Sequence, residues 1–118
     1  MTIALVLDCA HPESLSEFWA HALGYKVLGG VENYVMIVDP EEKAPHLLLQ
    51  KVPEPKSGKN RMHLDIHVAD IETEATRLEG LGAKRQSGPQ SEHGSTWILM
   101  ADPEGNEFCV CDGGGGSC

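Results

Sequence analysis

Aromatic residues are scarce, with two each of Phe, Trp and Tyr in 118 residues. Leu, Val, Ile and Ala must therefore supply most of any core. No apolar run approaches the roughly 18 residues that a membrane span needs. The opening Met1-Thr2-Ile3-Ala4 lacks the basic stretch of a secretory leader. These absences set the expectation of a cytoplasmic protein with no membrane partner. Cations are few as well: 9 Lys and Arg stand against 18 Asp and Glu, a formal charge of −9. An acidic surface repels nucleic acid and anionic bilayers, so neither is an expected partner. The cysteines, Cys9, Cys109, Cys111 and Cys118, show no CxxC spacing, which excludes the common zinc-ribbon and dithiol-redox motifs. In a cytosol Cys109 and Cys111 should be reduced thiols.

What is present is enough for a compact domain with a core, since 41% of the residues are hydrophobic. The few cations are unevenly placed. Lys51, Lys56, Lys59 and Arg61 face one acid, Glu54, within residues 51–61, a local +3 that leaves −12 for the rest. Such an island reads as an anion site or as a solvated loop. The last segment, residues 113–118, is Gly-rich and ends in Cys118. It reads as a flexible linker outside the fold.

The chain repeats one order of elements. Ile3 to Cys9 is a short apolar strand. His11-Pro12-Glu13-Ser14 opens a helix, with a cap and early acid suited to its free N–H groups. Leu15, Phe18, Trp19, Ala22 and Leu23 form its apolar face, and Gly24 ends it. Tyr25–Leu28, Tyr34–Val38 and His46–Val52 read as strands, with turns at Gly29-Gly30 and Asp39-Pro40-Glu41-Glu42. The second half runs in the same sequence: strand Met62–Val68, a helix capped by Asp70 and running to about Leu81, then strands Ala83–Gln86, Thr96–Ala101 and Glu107–Cys111. Leu23-Gly24-Tyr25 matches Leu81-Gly82-Ala83, and Asp39-Pro40-Glu41 matches Asp102-Pro103-Glu104. The pattern predicts an α+β fold of two tandem βαβββ modules, residues 1–56 and 57–112. Neither half buries its apolar face well alone, so pairing them should create one core and a shared concave surface.

From Arg61 to Val68 polar and apolar residues alternate strictly. Met62, Leu64, Ile66 and Val68 take one side of a strand; Arg61, His63, Asp65 and His67 take the other. Four ionisable groups are costly to bury dry, so that side faces water or a polar cleft. Asp65 lies two residues beyond His63 on this side, and Glu107 two before Cys109 on theirs. A His63–Asp65 or His63–Glu107 pair could do acid/base work, the carboxylate orienting the ring. The alternative is that these groups satisfy one another without turnover. Arg61, and Lys59 if the strand begins early enough, could clamp an anion. Trp97, Tyr34 and Tyr25 are possible lining. Cys109 reads as a buried structural thiol rather than a nucleophile.

The segments Glu17-Phe18-Trp19 to Leu23-Gly24-Tyr25, Val52-Pro53-Glu54-Pro55-Lys56 to Lys59-Asn60-Arg61-Met62-His63-Leu64-Asp65, Leu81-Gly82-Ala83 and Asp102 to Cys109 resemble the vicinal oxygen chelate superfamily, in particular its small glyoxalase-like proteins. The resemblance spans residues 3–111. It implies an open, barrel-like cleft and commonly a homodimer. For function it implies a range: lyases, isomerases, ring-cleaving dioxygenases and non-catalytic antibiotic binders. Metal-dependent members place ligands on the first and last strand of each module, which falls here on Ala4, Gln50, His63 and Cys109. Ala4 offers no donor and Gln50 a weak one, so the set is incomplete, with His63 its best single member. A protein without a catalytic metal is expected.

Two functions follow as expectations. The first is a glyoxalase-like enzyme of lyase or isomerase type on a polar, anionic metabolite. His63, Asp65 and Glu107 would be its catalytic groups, and Lys59, Arg61, Gln50, Trp97 and Cys109 would contact substrate. The second is a binding protein that sequesters an antibiotic or toxic small molecule.

Overall fold

The computed structural model of the chain describes residues 2–92 and 94–112; His93 and the Gly-rich tail at 113–118 lie outside the described residues. The fold is α+β and divides into two compact units, Met1–Lys56 and Ser57–Cys118.

The first unit holds β1 (Ala4–Cys9), α1 (Pro12–Leu23), β2 (Lys26–Val31), β3 (Tyr34–Val38) and β4 (His46–Lys51). Its sheet is four-stranded in the order β1-β4-β3-β2. β1 and β4 run parallel, while the β4–β3 and β3–β2 pairs are antiparallel. α1 forms because Leu15, Phe18, Trp19 and Ala22 recur at helical spacing, and all four are buried. The Phe18 and Trp19 rings meet edge to face, centroids 5.1 Å apart. They pack with Val35, Ile37, Leu47 and Leu49, all buried; full burial of each such side chain is worth about 1.5–3 kcal/mol. The N-cap His11 makes no side-chain capping bond; Pro12 at the first helical turn does the initiating instead. Gly24 closes the helix with φ +70, a left-handed cap that glycine adopts without a Cβ penalty.

The second unit repeats the order: β5 (Asp65–His67), α2 (Ile71–Gly80), β6 (Lys84–Glu92), β7 (Ser95–Ala101) and β8 (Glu107–Cys111), with sheet order β5-β8-β7-β6. Asp70 caps α2, accepting from the Thr73 backbone N–H at 3.1 Å and from its hydroxyl at 2.9 Å. Ile71, Ala75 and Leu78 of α2 are buried, as are Ile98, Met100, Phe108 and Val110 of the sheet. Asp102 builds the turn into β8. Its carboxylate accepts from the Glu104 and Asn106 backbone N–H groups and the Asn106 side chain. Asp39 does comparable work in the first unit, accepting from Glu41, Lys43 and Ala44.

Three sequence expectations are corrected. Gly29 and Gly30 are not a turn; they lie inside β2, which is irregular between Val27 and Gly29. A Cβ on Gly30 would stand 2.6 Å from the Tyr34 carbonyl oxygen, so glycine there permits close backbone approach. β6 continues past Gln86 through Gly88 and Pro89, because an edge strand tolerates a residue without an N–H. The strand expected at Met62–Val68 shrinks to Asp65–His67, which pairs only with the last three residues of β8, Cys109 to Cys111. Met62 is consequently 78% exposed rather than turned to the core.

Candidate functional site

β5 and β8 run parallel, with Asp65 opposite Cys109, Ile66 opposite Val110 and His67 opposite Cys111. Paired residues share a face, so Ile66 and Val110 belong to the helix-covered side while Asp65, His67, Cys109 and Cys111 belong to the other. β7 continues that second face with Trp97 opposite Cys111 and Leu99 opposite Cys109.

On this face the imidazole Nε2 of His63 lies 3.0 Å from the Asp65 carboxylate, with side-chain exposures of 31% and 21%. His63 is outside β5 yet still reaches its neighbour. Donor atoms of His63, Asp65 and Cys109 all lie within 4.8 Å of one another. Burial pushes the Cys109 thiol up, the Asp65 charge adds to that, and the Lys59 ammonium opposes both. A thiol held protonated is a poor nucleophile. Cys9 and Cys109 are in no disulfide, but Cys111 is disulfide-bonded, where both Cys109 and Cys111 were expected as reduced thiols. Strand alternation fixes where a sulfur points and says nothing of its oxidation state.

Glu107 accepts a hydrogen bond from the Asn60 backbone N–H at 3.0 Å, which ties the segment carrying Lys59 and Arg61 to the start of β8. Arg61 is exposed in a bend, and no ion pair among the described residues engages it. Trp97 is half-buried on the same sheet face as the cysteines. The structure thus brings His63, Asp65 and Cys109 together, with Lys59 acting on Cys109. His67 belongs on this face as well, placed there by the same period of two that places Asp65. Its carboxylate and sulfur neighbours, Asp65 and Cys111, lie within 4.8 Å.

Gln50 belongs to the first unit, exposed near the end of β4 opposite Asp8 of β1 and Tyr34 of β3. Val6 and Asp65 stand at matching distances before their helix caps, His11 and Asp70. The partner of Val6 is Leu48. Register therefore puts Leu48, rather than Gln50, in the place equivalent to Cys109. With Ala4 lacking any donor, the first unit's residues do not fit a metal of the kind the resemblance implies. Tyr25 is structural: its hydroxyl donates to the Pro45 carbonyl at 2.9 Å. A surface hollow of about 470 Å³ at the start of α1 is lined by His11, Glu13, Glu17, Glu32 and Lys51, among others. Its acidic rim does not suit an anion.

The profile of the glyoxalase-like domain matches residues 4–111. The chain belongs to the glyoxalase-like domain family. Solved structures agree in fold. A glyoxalase/bleomycin resistance protein/dioxygenase family enzyme from Burkholderia phytofirmans superposes with a TM-score of 0.78 at 13% identity, covering 93% of this chain and 96% of that one. A glyoxalase/bleomycin resistance protein/dioxygenase from Nocardioides gives 0.73 at 20% identity, covering 100% and 89%. A lactoylglutathione lyase from Agrobacterium tumefaciens gives 0.67 at 18% identity, covering 96% and 93%. A search of the curated proteins finds no match to this glyoxalase-like chain. Among the described residues, no helix is long and apolar enough to cross a membrane.

Proposed function

We propose that this glyoxalase-like protein is a small-molecule enzyme of lyase or isomerase type, moving a proton on a polar, anionic metabolite at the open face of the β5–β8 pair. The observation that carries the reading is the His63–Asp65 pair, 3.0 Å apart and partly open to solvent. The carboxylate holds the ring by Nε2 and stabilises the imidazolium formed when Nδ1 takes a proton. Lys59 and Arg61, on the segment pinned by Glu107, supply charge for the substrate's anionic group. Trp97, opposite Cys111, offers an apolar wall farther along the same face. Cys109 acts as a contact and not as the nucleophile.

The test is a thermal-shift screen of small carboxylates and phosphates, followed by NMR of each binder with wild type and His63→Gln in D₂O. Solvent deuterium should enter the bound compound, or a product should form, with wild type only. Binding with neither change would replace this reading with the non-catalytic one, a protein that sequesters a small molecule. Equal turnover by His63→Gln would remove His63 from the chemistry.

A further inference from the structure

The polar face of the second sheet is graded both along and across its strands. Lys59 and Arg61 stand in the segment before β5, His63 and Asp65 follow, and His67 closes the strand. Across the sheet, the ionisable side chains of β5 give way to the short, buried side chains of Cys109 and Cys111 on β8. Beyond these come Leu99 and Trp97 of β7, both half-buried. Leu99 shares the row of Asp65 and Cys109. Trp97 shares the row of His67 and Cys111, at the end of the face away from Lys59 and Arg61.

The surroundings of Trp97 differ from those of the other indole. Trp19 is 2% exposed in the core under α1. Trp97 lies on the uncovered side of β7, while Ile98 and Met100 on the other side are fully buried. Among the described residues no ring or cation stacks on Trp97, and nothing accepts from its indole N–H. A buried indole N–H usually finds a partner. A rigid, partly uncovered ring also offers a large apolar area at little cost in side-chain entropy.

We propose that the molecule held at this face is an aryl-bearing acid, with its anionic group at Lys59 and Arg61 and its aromatic ring against Trp97 and Leu99. The proposal rests on the proton-transfer reading for the anionic end and names what the metabolite carries at the other. Register sets its length. Asp65 and Trp97 are two strand separations of about 4.8 Å apart across the sheet and one same-face repeat of about 6.7 Å along it, so about 12 Å between Cα atoms. Side chains reach inward from both ends, and a ring on a short acid chain fills the remaining gap. A two- or three-carbon acid held at the cations would leave Trp97 wet, and a sugar acid would gain nothing from it. The order acid, reacting carbon, ring then follows the order Arg61, His63, Trp97 along the face.

The test is calorimetry of the full chain with 4-phenylbutanoate and with butanoate, two acids alike except for the ring. Covering about 60 Å² of ring surface corresponds to about tenfold in affinity, so wild type should prefer phenylbutanoate by at least that factor. Trp97→Ala should erase the preference and leave butanoate affinity unchanged, and Trp97→Phe should keep most of it. Arg61→Lys should weaken both acids by the same factor. No binding of either acid, equal affinity for the two in wild type, or a ring preference that survives Trp97→Ala would overturn the proposal. Should Trp97→Ala fail to fold, the indole N–H resonances of wild type decide. Phenylbutanoate should shift that of Trp97 and leave that of buried Trp19 in place; an unshifted Trp97 signal would overturn the proposal equally. Neither acid carries an activated C–H, so the outcome is independent of turnover. A ring preference with no deuterium entering any binder would remove the catalytic reading and leave the aryl-acid site standing.

Discussion

The Glu107 carboxylate accepts the Asn60 backbone N–H at 3.0 Å, joining the first residue of β8 to the segment that precedes β5. The contact is part-buried and engages a charged acceptor, which typically contributes about 1.5–3 kcal/mol. Glu107→Ala should lower stability by about that amount, with Glu107→Gln, which keeps an acceptor, losing less. Urea denaturation of the three proteins measures this. Equal stability in all three would show that the segment is held by other means.

Arg61 stands in a bend, exposed and free of ion pairs among the described residues. A structural role would require a partner. Arg61→Lys should therefore leave the melting temperature nearly unchanged while weakening an anionic ligand by about 1–3 kcal/mol, the range of a charge-assisted contact. Calorimetry with a carboxylate or phosphate found in the screen decides. A lower melting temperature with intact affinity would assign Arg61 to the scaffold.

Acid should destabilise the protein through its caps and turns. Asp39 is held below its ordinary value first by the Glu41 backbone N–H, Asp70 by that of Thr73, and Glu74 by its side-chain bonds to Arg77. Each is depressed in the folded state, so each contributes stability that is complete above the unfolded value. That contribution is lost as pH falls through the folded one. The urea midpoint should drop below about pH 4. Asp70→Asn, which can still cap, should flatten part of that slope. A midpoint independent of pH from 5 down to 2 would contradict the assignment.

Gly30→Ala tests the corrected hairpin. The added Cβ would meet the Tyr34 carbonyl oxygen at 2.6 Å and the Val35 side chain at 3.0 Å. Overpacking of this kind costs about 1–3 kcal/mol. Thermal unfolding should show the loss; a neutral substitution would mean that β2 shifts freely.

We also expect a homodimer. β2 is an edge strand whose Val27, Leu28 and Val31 are 51%, 60% and 62% exposed. Covering an apolar edge prevents uncontrolled pairing. Light scattering should return twice the chain mass, and Val31→Lys should shift it toward monomer. A monomer at every concentration would end this expectation.

Much of the candidate site was legible because side-chain direction along a strand is local. The alternation through His63, Asp65 and His67 needed no partner strand to be read, and Asp65 and His67 lie together in β5. The role of Glu107 was not legible, since its distance from Asn60 along the chain exceeds any local rule.

The sequence alone determined the element order, the internal repeat, the apolar faces of α1 and α2, and the Asp70, Asp39 and Asp102 devices. Each follows from sterics and hydrogen bonds within a few neighbouring residues. Tertiary structure decided where β5 ends, that β6 runs on through Pro89, that Gly30 sits under a neighbouring strand, and that Leu48 rather than Gln50 matches Cys109. Strand length and register are properties of pairs of strands: a ladder extends only while the partner supplies its N–H and carbonyl groups, and that supply is set by residues distant in the chain.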